Sequence, residues 1–169
     1  MIPTIETERL RLRAPVLADF PAFAGMLGSR RSTYMGGPCS ETEAWKWFCI
    51  DVAQWHLFGH GALMIERRED KVCVGEVGLN AGPLFPEMEL GWLLYDGFEG
   101  QGYASEAAHA LRDWAFADFG ASTLVSYVDR GNSASIALAR RLGAIEDMHA
   151  ARPDPEDLVF RHQRGTSTP

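Results

Sequence analysis

The chain has 169 residues, 46% of them apolar and 23% charged, with a formal net charge of −7. A single domain of that length buries a full core without staples, and the acidic balance argues against a nucleic-acid surface. No run of about 18 apolar residues crosses a membrane, no basic leader precedes an apolar stretch, and three cysteines without a C-x-x-C pair read as reduced thiols of a cytoplasmic protein.

Residues 10–13, Leu-Arg-Leu-Arg, alternate as a half-buried strand does, and Pro15 ends them. Asp19 stands where a cap belongs for a short helix that admits Pro21 in its first turn and turns Phe20, Phe23, Ala24 and Leu27 to one side. Residues 28–38 read as a loop rich in Gly, Ser and Arg. Ser40-Glu41-Thr42-Glu43 is a capping box. Trp45, Phe48, Cys49, Val52 and Trp55 follow at helical spacing as a core-facing stripe, and Gly59 closes the helix. Trp47 and Phe58 fall off that stripe, where a pocket edge could run. Three strand patterns come next, at 62–67, 71–79 and 88–95. Their connections are too short for crossovers, so they form an antiparallel meander.

The meander runs into Asp96-Gly97-Phe98-Glu99-Gly100-Gln101-Gly102-Tyr103-Ala104-Ser105-Glu106-Ala107. Beyond it Ala104, Ala107, Ala108, Leu111, Trp114 and Ala115 share one helical face. A strand, a glycine-rich turn and a helix N-terminus together suit phosphate oxygens; a plain tight turn is the alternative. A P-loop is excluded, because Tyr103 and Ala104 stand where it needs Lys and Ser or Thr. The dinucleotide fingerprint meets Ser105 at its third glycine and would follow the first strand of a βαβ unit, not a meander. Residues 123–128 read as a further strand, 132–142 as a helix closed by Gly143, and 144–148 and 158–162 as short strands. One domain over 1–163 is expected, with a frayed polar tail at 164–169.

This order resembles the GNAT superfamily of N-acetyltransferases, in the branch of the ribosomal-protein N-terminal acetyltransferases. Three matches carry the resemblance: Thr7-Glu8-Arg9-Leu10-Arg11-Leu12-Arg13; Glu89-Leu90-Gly91-Trp92-Leu93-Leu94 running into Gly100-Gln101-Gly102-Tyr103-Ala104-Ser105-Glu106-Ala107; and Asn132-Ser133-Ala134-Ser135-Ile136 followed by Leu142-Gly143-Ala144. It implies an α+β fold with a mixed, mostly antiparallel central sheet flanked by helices, in which a splayed strand pair forms an acyl-CoA cleft. Acetyl-CoA would lay its pyrophosphate on the amides of Glu99, Gly100, Gln101, Gly102, Tyr103 and Ala104, beside Ser105. Its pantetheine arm would run along the strand of Leu93 and Leu94 as an added strand does. Asn132 and Ser135, three apart, share a helix face that by the resemblance would border the pantetheine and the thioester; a plain N-cap and an exposed hydroxyl are their other readings. Two positions depart from the superfamily pattern. Glu99 replaces Arg or Gln, and its carboxylate is expected to point to solvent. Ala139 replaces the usual Tyr acid, and Ser135 is the substitute that the branch suggests.

The reaction so implied is acetyl transfer to a primary amine, a peptide N-terminus or a small molecule, by direct attack in a ternary complex. A base must take the amine's proton, and Glu89 and Glu76 are the candidates, with solvent-facing or salt-bridged carboxylates as the alternative. Alternation puts Glu89 on the face of Gly91, Leu93 and Tyr95. The Leu93 region would supply oxyanion amides, and Tyr95 reads as core with its hydroxyl at the surface. An inactive CoA-binding sensor or interaction module is the rival. His56 and His60 lack a third ligand, so no metal is expected. Arg30-Arg31 border the acceptor cleft or solvate a loop, with nothing to decide between them. A monomer or a homodimer fits equally.

Overall fold

The computed structural model describes residues 1–164, so residues 165–169 of the expected tail lie outside the described residues. Arg164 itself is tied down, donating to the Ala121 carbonyl at 2.7 Å. Strand β1 (Ile5–Glu6), which the sequence reading missed, pairs with β2 (Leu10–Arg13). Helix α1 (Phe20–Leu27) and a 3₁₀ run (Arg30–Met35) lead to α2 (Glu41–Phe58). The meander is β3 (Ala62–Arg67), β4 (Cys73–Asn80) and β5 (Glu89–Leu94). Then come α3 (Tyr103–Trp114), β6 (Val125–Asp129), α4 (Ser133–Arg141), β7 (Ile145–Glu146) and β8 (Asp157–Arg161). The eight strands make one sheet in the order β1-β2-β3-β4-β5-β6-β8-β7. No helix among the described residues is long and apolar enough to cross a membrane.

Every neighbouring pair in the sheet is antiparallel except β5 and β6, which run parallel and share the single ladder pair Glu89–Val125. The Val125 amide donates to the Met88 carbonyl at 3.0 Å, and the Ser126 hydroxyl to the Leu90 carbonyl at 2.5 Å. Beyond that point the two strands diverge. Buried His162 braces the junction, with Nε2 2.9 Å from the Ser126 hydroxyl. The expected splay is therefore present, and its apex is defined by Glu89, Leu90, Val125 and Ser126.

Helices α1 and α2 cover one face of the sheet, packing Phe23, Met26 and Phe48 against Met64, Leu93 and Tyr95. On the other face α3 sets Ala104, Ala107, Ala108 and Leu111 against Ile65, Val77, Leu79 and Leu90. Small residues on α3 let it approach closely, and a fully buried Leu such as Leu111 contributes about 1.5–3 kcal/mol.

Two local expectations are corrected. Asp19 does not cap α1 with its side chain. Its carboxylate takes a two-pronged ion pair from Arg13, at 2.8 Å on each oxygen, because a buried carboxylate is better matched by a guanidinium than by one amide. The buried face of α2 is Ala44, Phe48 and Trp55, while Trp45 remains 43% exposed and Cys49 is also exposed. The capping box forms as expected: Ser40 Oγ accepts the Glu43 amide at 3.3 Å, and Glu43 Oε2 the Ser40 amide at 2.7 Å.

Candidate active site

After β5 the chain turns through Gly97, Gly100 and Gly102, whose φ angles are 86°, 73° and 81°. No side chain caps α3 at Gly102. The first-turn amides of Tyr103, Ala104 and Ser105 thus lack intrahelical acceptors and stand at the positive end of the helix. Glu99, Gly100, Gly102, Ala104 and Ser105 line a cleft of about 1800 Å³. Gln101 and Tyr103 do not. The Gln101 side chain is exposed and its carbonyl accepts Arg9 Nη1 at 2.9 Å, while Tyr103 is buried beneath the Arg9 guanidinium, 4.9 Å from the ring centroid. Those two residues have only backbone amides to offer a ligand.

The opening Thr7-Glu8-Arg9 acts on this turn from across the chain. Glu106, in the first turn of α3, accepts the Thr7 hydroxyl at 2.5 Å, the Arg9 amide at 2.9 Å and Arg9 Nε at 2.7 Å. These bonds fix the direction in which the α3 N-terminus points. Glu99 is not simply turned to solvent. Its carboxylate, 44% exposed, is paired with Arg31, whose Nη2 also donates to the Leu94 carbonyl at 3.0 Å. Arg31 therefore borders the cleft, and it neutralises a charge that would repel an anion at this loop.

The register decides which β5 groups face the gap. The Tyr95 amide donates to the Val74 carbonyl at 2.8 Å, and the β4–β5 pairing keeps Glu76 opposite Leu93. Ladder alternation then directs the Leu93 amide into β4 as well. Within the Leu93 region the Leu93 amide itself is thus spent on β4, and the donors left for an oxyanion are those of its two neighbours. The amides of Trp92 and Leu94 point the other way, toward the diverging β6. The Leu90 and Leu94 carbonyls, bonded to Ser126 and Arg31, confirm that side.

Glu76, Glu89 and Leu93 lie on the α1/α2 face of the sheet. Glu89, at the apex of the splay, accepts the Asn80 amide at 2.9 Å and the Tyr127 backbone amide. Burial pushes its carboxyl up to about 7 against these two bonds, with a further push from Asp157. Glu76 is 8% exposed and its Oε2 has no hydrogen-bond partner among the described residues. Burial raises its pKa well above the ordinary carboxylate range, and the nearby charges of Asp51 and Asp19 add to this. Among the described residues neither carboxylate is salt-bridged, and Glu76 is buried while Glu89 is half-buried. Tyr95 is also corrected: its hydroxyl is buried, without a hydrogen-bond partner among the described residues, rather than at the surface, and burial raises its pKa.

A stability test follows for Glu76. Its folded pKa lies above its unfolded one, so its stabilising contribution is complete below about pH 4.5 and is lost as the pH rises toward the folded value. Glu76→Gln is expected to raise the thermal midpoint at pH 8 and to leave it nearly unchanged at pH 4. Equal shifts at both pH values in calorimetric melts would mean that the carboxyl is not buried uncharged.

Across the gap, α4 presents Asn132 and Ser135, both lining the cleft. Asn132 is the helix N-cap, its Oδ1 accepting the Ser135 amide at 3.1 Å. Ser135 Oγ accepts Trp92 Nε1 at 3.2 Å. That bond occupies a lone pair and leaves the Ser135 O–H free to donate.

Residues missed in the sequence are Asp51, Trp92 and Ser126. The signal for Asp51 was its spacing: it falls in the series Ala44, Phe48, Asp51, Trp55, a carboxylate on a buried helical face. Burial and the charge of Glu89 push it up to about 7. Trp47 lines the cleft as its off-stripe position suggested, whereas Phe58 stacks on His60. His60 Nδ1 lies 2.9 Å from the Leu79 carbonyl.

A splayed mixed sheet with an uncapped helix N-terminus at its cleft defines an acyltransferase architecture, and comparison with known proteins gives the family. The model of the acetyltransferase (GNAT) domain matches residues 9–145, and the chain belongs to that family of acetyltransferases. It is similar to the crystal structure of the acetyltransferase from Agrobacterium tumefaciens, with a TM-score of 0.95 and 56% identity over 97% of this chain and 96% of that one. The uncharacterized protein YkkB of Bacillus subtilis is 26% identical over 141 residues, 81% of this chain and 82% of its own. The ribosomal-protein alpha-N-acetyltransferase RimL in complex with coenzyme A shares the fold, with a TM-score of 0.74 and 21% identity over 96% of this chain and 98% of that one.

Proposed function

We propose that the protein transfers the acetyl group of acetyl-CoA directly to a primary amine in a ternary complex. The observation that carries this reading is the Glu89 carboxylate, half-buried at the apex from which β5 and β6 diverge and held there by the Asn80 side-chain amide and the Tyr127 backbone amide. The cleft fits acetyl-CoA on three counts. The free amides at the α3 N-terminus suit its phosphates, the Trp92 and Leu94 amides offer strand-like bonds to its amide-bearing arm, and the diverging strands leave room for that arm. Bound there, acetyl-CoA supplies the activated acetyl group.

The residues divide the work. Glu89, alone or with Glu76, takes the proton from the amine, which lets the nitrogen lone pair bond to the carbonyl carbon. The Trp92 and Leu94 amides stabilise charge on the carbonyl oxygen. As the carbon–sulfur bond breaks, Ser135 donates its hydroxyl hydrogen toward the departing thiolate. The amine is a peptide N-terminus, as the name of RimL suggests for that protein, or a small molecule. Cys39, Cys49 and Cys73 are all unpaired, as suits a reducing cytoplasm.

The test pairs calorimetric titration of acetyl-CoA, beside NAD, with thiol release in the presence of amines. Acetyl-CoA alone should bind, and thiol release should depend on the amine. Ser135→Ala should slow turnover about tenfold with little change in acetyl-CoA affinity. Binding of NAD in preference, or thiol release indifferent to any amine, would overturn the reading.

A further inference from the structure

Where β5 and β6 part, hydrogen bonds are exchanged rather than lost. In their register the Val125 amide donates to the Met88 carbonyl, so a continued parallel ladder would next set the Tyr127 amide on the Leu90 carbonyl. The pairing stops before that rung. The Leu90 carbonyl accepts the Ser126 hydroxyl at 2.5 Å, and the Tyr127 amide donates to the Glu89 carboxylate. A serine hydroxyl has taken the acceptor that the ladder offers, and the amide that would have used it binds the candidate base.

His162 holds that hydroxyl in place. It stands one residue beyond β8, buried, with its own amide on the Leu124 carbonyl at 2.9 Å. Its Nε2 lies 2.9 Å from the Ser126 hydroxyl oxygen. The single Ser126 proton is spent on Leu90, so Ser126 accepts from His162, and Nε2 carries the proton of that contact. Nδ1 is then a bare lone pair, in keeping with its lack of a partner among the described residues. Burial and the nearby charge of Arg112 on α3 push the imidazole down to about 4, which keeps it neutral at neutral pH. Ser126 lines the cleft and His162 does not, so what His162 does for the reaction passes through Ser126.

We propose that Ser126 and His162 are positioning residues for Glu89: the imidazole N–H holds the Ser126 hydroxyl on the Leu90 carbonyl, and this keeps the Tyr127 amide on the Glu89 carboxylate. The proposal rests on the acetyl-transfer reading and adds the groups that set its base. An amide donor favours the ionised carboxyl. Without the Ser126 hydroxyl the Leu90 carbonyl is open, the ladder closes by one rung, and the Tyr127 amide returns to it. Glu89 is then left with the Asn80 amide from β4, facing the like charges of Asp51 on α2 and Asp157 on β8 and the Tyr127 phenol on β6.

The Glu89 side-chain carboxyl carbon is titrated by NMR in the whole protein, its signal assigned by its loss in Glu89→Gln. Ser126→Ala and, separately, His162→Leu should each move its midpoint up by about one pH unit, the size expected of one hydrogen bond to a carboxylate. Misfolding of one variant leaves the other as the test. His162→Gln sets an amide N–H at the reach of Nε2 and should keep the wild-type midpoint. The rising limb of kcat/KM should move with the NMR midpoint in each variant. A wild-type midpoint in both Ser126→Ala and His162→Leu would overturn the assignment. So would a midpoint in His162→Gln displaced as far as in His162→Leu, since packing rather than the N–H would then set it. Midpoints that move as expected in a protein that releases no thiol to any amine would support the positioning role and sink the acetyl-transfer reading.

Discussion

Replacing Gly100 with aspartate is expected to weaken acetyl-CoA binding by at least about 100-fold while the protein stays folded. A Cβ at Gly100 meets nothing within 4 Å, so no clash arises. The backbone φ of 73° costs an L-residue roughly 1–2 kcal/mol, which a domain of ordinary stability survives. The added carboxylate would stand at the loop where the pyrophosphate is expected. At an effective dielectric of about 20, two like charges about 4 Å apart repel by ~4 kcal/mol, more than the ~2.8 kcal/mol that a 100-fold loss requires. Gly100→Ala carries the backbone strain without the charge and separates the two effects. Calorimetric titration of both variants, with a thermal melt of each, gives the answer. Wild-type affinity in Gly100→Asp would remove the loop from the site.

Glu89→Gln is expected to lower turnover by about 100- to 1000-fold, the usual worth of a positioned base, with acetyl-CoA affinity little changed. The pH profile makes the assignment specific. A base works ionised, so wild-type kcat/KM should rise with pH and level off above about 7, where the Glu89 carboxyl ionises. Glu89→Gln should lose that limb. Because the charge of Glu89 acts on Asp51, the limb reports both groups together. Asp51→Asn should move the limb to lower pH by removing a like charge, without erasing it. A full rate in Glu89→Gln would transfer the base role to Glu76 or to a water chain.

Much of this architecture was legible because its signals are local. The two-residue alternation of β2, the capping box at Ser40 and the apolar face of α3 follow from neighbouring residues alone. The turn through Gly100 and Gly102 was legible for the same reason. What escaped depends on contacts distant in sequence. Glu106 meets Thr7 and Arg9 across more than ninety residues, and Arg31 reaches Glu99 from a loop whose pattern gave no direction. The direction of the Leu93 amide is set by its pairing with Glu76, which one sequence does not contain. Asp51 was hidden because an apolar stripe was traced through Trp45 and Cys49, one residue out of phase with the buried face.

The single rung between β5 and β6 has a consequence for durability. Backbone pairing between β5 and β6 is sparse, so the segment from β6 onward is held chiefly by side chains: Arg161 on Glu87, Arg112 on the Leu142 carbonyl, and Leu124, Leu138 and Leu142 in the core. A molecule lying in the gap holds to both sides and is gripped only while they are docked. Its occupancy therefore protects the native state by mass action, by ~2.7 kcal/mol at 100 times its dissociation constant. On the proposed reading that molecule is acetyl-CoA, and resistance to proteases and heat is expected to rise with the supply of acyl thioester around the protein.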